Sequence, residues 1–161
     1  MSTFLSRDDY KTQIRTYRLD QILEAADEDE EAILDDAENE AVSILKDALA
    51  TKYDTDLIFS ATGNARHKTV LRWAKVLVIY FIYERVPDEQ IPERVLNNYE
   101  YLMNPEKGYL AQIEKGTKNI DGLPVKTVPG ENGESEPKTR RRWGSVPRRA
   151  NDGANYRDKR W

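Results

Sequence analysis

The sequence predicts an all-α fold: a small helical bundle with a long amphipathic helix and a buried central helix, then an extended C-terminal arm with a possible small β-hairpin. Three observations predict it. Leu34, Ala37, Ala41, Ile44, Leu45, Ala48 and Leu49 recur at three- and four-residue spacing, which draws one apolar stripe on a long helix. From Trp73 to Tyr83 the chain reads WAKVLVIYFIY, ten apolar residues in eleven. That run is too long for an ordinary buried strand and shorter than the roughly 20 residues of a membrane span, so it reads as the core helix of the bundle. After Asp121-Gly122 the segment LPVKTVPGENGESEP carries three prolines and two glycines, and helical periodicity stops. The 161 residues therefore divide into a helical body, 1–122, and an arm, 123–161.

Taken in order, Ser6 followed by Asp8 and Asp9 is the signature of a helix start. Leu19, Ile22 and Leu23 place a second short helix, and the acidic run 27–31 leads into the long one, whose other face is acidic. Asp54, Asp56, Ser60, Gly63 and Asn64 read as a loop of roughly ten residues, with Asn64 able to cap the next helix. The core helix extends back to Val70 and Leu71, contains Lys75 and stops at Pro87. Ile91-Pro92-Glu93 starts another, with Val95, Leu96, Tyr99 and Leu102 on one face. Asn104-Pro105-Glu106 repeats that signal, and Tyr109, Leu110 and Ile113 carry a last short helix to Gly116, a C-terminal cap. In the arm, Val125 to Val128 and Thr139 to Trp143 have the composition to pair around Pro129 to Gly133, or to add to a partner's sheet edge. The last segment holds few apolar anchors beyond Trp143, Val146, Tyr156 and Trp161, and is expected to order only on a partner.

The formal charge of −4 hides an asymmetry. Residues 138–161 hold nine basic and two acidic side chains, net +7, whereas the remainder holds 16 and 27, net −11. A basic arm on an acidic body calls for a partner surface unlike its own body. Arg140, Arg141, Arg142, Trp143, Arg148, Arg149, Tyr156, Arg160 and Trp161 are the candidate partner-binding residues, since Arg and aromatic side chains dominate interface hot spots. The same residue types neutralise phosphates and stack on bases, so a nucleic-acid-binding protein using the arm is the alternative reading.

Catalytic chemistry finds little support. The chain has no cysteine, which removes disulfides, thiolate nucleophiles and Cys-ligated metals, and its single histidine, His67, sits among Arg66, Lys68 and Arg72 without a serine or acid to complete a triad. The carboxylates of 27–31, 35, 36, 38 and 40 are of the type that holds hard cations. They lack the alternating spacing and central glycine of a calcium loop, so a metal-dependent hydrolase is disfavoured and a solvated face expected. Such a face also repels DNA phosphates from a passage it lines. No enzymatic activity, cofactor or metal is predicted. The opening residues do not read as a secretion signal, and the chain is expected to be soluble and intracellular.

The order of elements, with FLSRDDY at the start, VPDEQIPERVLNNYE at 86–100 and YLAQIEKG at 109–116, resembles the small helical head–tail adaptor, or head completion, proteins of tailed phages, including the Mu-like prophage type. The resemblance spans about residues 3–122, and the 123–161 extension departs from shorter members. It implies a non-enzymatic virion protein of the neck, assembled in the host cytoplasm. Its partners would be the portal protein, a downstream neck or tail protein and copies of itself in a ring, usually of twelve, with DNA only passing through the channel and no membrane involved. It further implies that the arm docks on the portal or a neighbour, and that Asp27, Glu28, Glu31, Asp35 and Glu38 face the channel or an adjacent subunit. A regulatory adaptor unrelated to phages is compatible with the same helices.

Overall fold

The computed structural model describes residues 4–25, 29–86, 90–129 and 135–137, and its fold is all-α. The helices are α1 (Arg7–Tyr10), α2 (Thr16–Ala25), α3 (Glu30–Leu49), α4 (Thr55–Ser60), α5 (Lys68–Glu84), α6 (Glu93–Met103) and α7 (Tyr109–Glu114). Two short strands, β1 (Thr127–Pro129) and β2 (Ser135–Pro137), come next as an antiparallel hairpin.

Helix α3 starts where Asp29 accepts a hydrogen bond from the Glu31 amide at 3.0 Å, with Glu30 and Glu31 in the first turn complementing the exposed amides. Its buried face is Ile33, Ala37, Glu38, Ala41, Leu45, Ala48 and Leu49. The stripe is thus led by Ile33, and Leu34 and Ile44 are only partly buried at its edges. Across it lies α5, the central helix, in which Val70, Ala74, Leu77 and Val78 are inaccessible to solvent. Three alanines on α3 and Ala74 on α5 let large residues interlock around close-packed backbones. Helices α6 and α7 complete the bundle: α6 packs on α5 and α7, and α7 also packs on α3.

The 54–64 segment differs from the loop expected. Asp54 caps a real helix, accepting from the Leu57 amide at 3.1 Å, and Ile58 fixes α4 to the core. A 3-10 turn spans Gly63–Ala65, so Asn64 lies inside that turn and the residue preceding α5 is His67. Six residues are too few for periodicity to show in sequence; burial of one side chain decides the conformation. Helix α5 ends at Glu84, ahead of Pro87, which lies outside the described residues. Pro92 occupies the position before α6, whose expected face is graded: Leu102 is buried, Val95 and Tyr99 are half-buried, and Leu96 is 38% exposed.

Gly116 ends α7 with φ +69°, donating to the Ile113 carbonyl at 2.9 Å while Thr117 donates to Gln112 at 2.9 Å. Those two bonds are the paired closure that glycine permits after a helix. Beyond it the chain stays on the body. The Ile120 amide donates to the buried Tyr53 hydroxyl at 2.7 Å, Asp54 donates to the Pro124 carbonyl, Lys126 donates to the Lys52 carbonyl, and Leu123 is 7% exposed. In the hairpin, β1 pairs with Ser135–Pro137. The partner strand is therefore nearer in sequence than Thr139 to Trp143, the span expected, and that span lies outside the described residues.

Candidate functional site

The nine arm residues expected to meet a partner, Arg140 to Trp161, lie outside the described residues, as do Asp27 and Glu28. The remaining acidic candidates separate. Glu31 is exposed and Asp35 half-buried on α3, but Glu38 is 5% exposed and accepts from the Leu5 amide at 2.8 Å, so it faces the interior and not a channel. Its place in the helix explains this: with Ala41 and Leu45 it falls at three- and seven-residue spacing on the buried stripe. The outward face of α3 is carried instead by Asp36, Glu40, Ser43 and Asp47, all exposed and spaced four, three and four apart. Asp36 reaches Arg85 at 3.5 Å.

Glu38 belongs to a set of polar contacts that bind the N-terminal segment to the bundle. Arg66 holds Asp9 with two bonds of 2.7 and 3.1 Å and donates to the Phe4 carbonyl at 2.6 Å, with both charged side chains largely buried. Burial alone would raise the Asp9 pKa, but hydrogen bonds from Arg66 and Ser6 outweigh it and hold the carboxyl below its ordinary value. Lys75, a buried cation of the core helix, donates to the Thr12 hydroxyl at 2.8 Å, and its pKa is lowered by desolvation. The Tyr10 phenol is raised far above its ordinary value by burial first and then by the nearby Glu38 charge. These groups fasten a segment. His67 does likewise, its Nε2 lying 3.1 Å from the Asp121 carbonyl oxygen.

Concave surface among the described residues lies where α5 faces α6. Lys68, Arg72, Val76, Ile79 and Tyr83 make one stripe along that helix, facing α6 across two adjoining hollows that share Val76 and Asn98. The smaller, of about 200 Å³, is closed by Gln13, Ile14, Pro92, Arg94 and Val95. The larger, of about 490 Å³, has Lys68, Thr69 and Arg72 on its rim and Trp73, Leu102 and Tyr109 as its floor, with Tyr101 beside it at 65% exposure. Trp73 and Tyr109 stand 5.0 Å apart, Tyr101 lies 6.2 Å from Tyr109, and the Lys118 ammonium sits 3.9 Å above the Tyr109 ring. Among the described residues no carboxylate pairs with Lys68 or Arg72. Aromatic walls with unpaired cations suit an acidic partner that brings apolar surface with it.

This groove was not legible in the sequence. Lys68 and Arg72 at four-residue spacing were visible, but their aromatic complement comes from positions 101 and 109, which only packing brings alongside. Among the described residues no three acidic or imidazole side chains converge as a metal site, and no helix is long and apolar enough to cross a membrane. Compared with family models, curated proteins and solved structures, the chain matches none of them.

Proposed function

We propose that this chain is a structural neck subunit, a head–tail adaptor of a tailed phage that forms a ring beneath the portal and anchors there, or on a neighbour, through its C-terminal arm. The observation that carries the reading is a small helical body with two unlike faces, the acidic outer face of α3 and the cationic aromatic groove beside α5, followed in sequence by a strongly basic arm. Two of the three segments that carry the resemblance border the groove: residues 93–100 lie in α6, and 109–116 is α7 with its cap.

The physical logic favours assembly over catalysis. An arm that orders on docking makes attachment conditional on the partner, and many copies engaging one ring turn weak contacts into a durable joint. The acidic exterior leaves passing DNA unbound, because carboxylates repel phosphates across a Debye length of about 8 Å.

The test is to mix the full-length chain with the portal protein of the same phage and weigh the complex by light scattering. A stable complex is expected, and replacing Arg140, Arg141 and Arg142 with Glu together with Trp161→Ala should dissociate it while leaving the helical circular dichroism unchanged. The reading fails if the portal is not bound and the chain instead grips duplex DNA with an affinity that drops steeply with salt, which is the signature of the nucleic-acid alternative.

A further inference from the structure

We propose that the groove between α5, α6 and α7 receives the acidic outer face of α3 from a second copy of this chain, in a head-to-tail contact. The inference rests on the ring-subunit reading and names the surfaces that would meet in it. Two differently charged faces of one molecule carry it. Asp36, Glu40 and Asp47 are exposed on one stripe of α3, which at 1.5 Å per residue extends about 16 Å along the helix. Lys68 and Arg72 stand one helical turn apart on α5, with no carboxylate paired to either among the described residues. Helix α6 packs on α5 and α7, and among the described residues no carboxylate of α3 forms an ion pair with Lys68 or Arg72, so the acidic stripe does not neutralise these cations within one copy.

Charge complementarity selects the occupant. An acidic helix laid along the groove sets its carboxylates opposite Lys68 and Arg72 and covers Tyr101, whose ring is 65% exposed beside the aromatic floor of Trp73 and Tyr109. The aromatic side chains are the type that anchors interfaces, and the rim charges fix the register. Because the two faces differ, a copy that has donated its helix face still offers its groove, so the contact propagates, giving a closed ring where the rotation between copies closes and an open filament where it does not.

The experiment is charge exchange in the full chain. Wild-type protein should self-associate at low ionic strength and dissociate with added salt. The pair Lys68→Glu and Arg72→Glu should weaken association about tenfold or more, as should Glu40→Lys with Asp47→Lys. Mixing the two variants should restore it, since every groove then faces a stripe of opposite sign. Wild-type protein that stays monomeric, or a mixture that stays dissociated, overturns the proposal. So does association that is lost in the α3 variant but kept in the groove variant, which would give that stripe another occupant such as the basic arm. Should a charge variant fail to fold, cysteine placement decides: the chain has none, so Ser43→Cys combined with Tyr101→Cys should give a ladder of disulfide-linked multimers, and its absence counts equally against the contact. Portal binding is read separately, so either result leaves the neck assignment to its own test.

Discussion

The two sides of α5 have been built by opposite means. Toward α3 the helix meets alanines, and the contact is close and lined by apolar side chains at zero exposure. Toward α6 it meets tyrosines: Tyr80 and Tyr99 stack at 3.7 Å and 11°, Phe81 stands edge-on to Tyr80, and two hollows remain instead of a closed seam. Small side chains let two backbones approach until no space is left, whereas large rings hold them apart and leave concave surface between. One side seals the fold and the other keeps concave surface open to solvent.

The comparison can be broken hardest on the closed side. Leu45→Ala, at a fully buried α3 position, should cost about 3 kcal/mol and lower the denaturation midpoint accordingly. Next comes the clamp over that side. Arg66→Ala leaves the Phe4 carbonyl without this donor and the largely buried Asp9 without its counter-ion, held by Ser6 alone, and should cost roughly 2–3 kcal/mol by urea unfolding at neutral pH.

Its pH dependence comes from the sign of the shift. Asp9 titrates lower in the folded chain than the ordinary aspartate value of about 3.9, so its contribution is present above that pH and is lost as pH falls through the folded value. Acid unfolding of Arg66→Ala should therefore begin at higher pH than in the wild type. Unchanged acid midpoints would show that the clamp contributes nothing.

Smaller effects sharpen the open side. Tyr99→Leu removes a stacked ring but keeps apolar volume, and should cost about 1 kcal/mol. Tyr101→Ala should change stability by less than about 0.5 kcal/mol, because the ring is mostly in solvent, while weakening self-association through the groove. A larger loss of stability would mean that Tyr101 supports the fold. A chain cut after Gly122 should be less stable than one cut after Pro129, by about 2 kcal/mol, since the shorter piece loses buried Leu123 and the backbone bonds joining Lys52 and Asp54 to the tail.

How much of this was readable from residues alone varies with distance along the chain. The buried triplet of α2, the length of α3 and the all-round apolar character of α5 are set by spacing within about twenty residues, and each was expected. Helix α4 was missed because its cap and its single buried anchor, Ile58, matter only once α3 and α5 are in place. Glu38 was assigned to the acidic face by its company; its angular position on the helix already pointed inward, and the Leu5 amide, 33 residues away, is what makes burial tolerable. A similar distance separates the groove's cations from Tyr101 and Tyr109.

By itself, then, the sequence determined the helical class, the order of the long elements, the end of the last helix at Gly116, and a basic arm on an acidic body, because periodicity, capping and charge are written locally. Only the tertiary structure decided which carboxylates face solvent, that residues 119–126 are held against Tyr53 and Lys52, and that α5 has one sealed side and one open one. Those features depend on how helices distant in sequence sit against one another, and that arrangement is set by side-chain volume in the packed core, not by any local pattern.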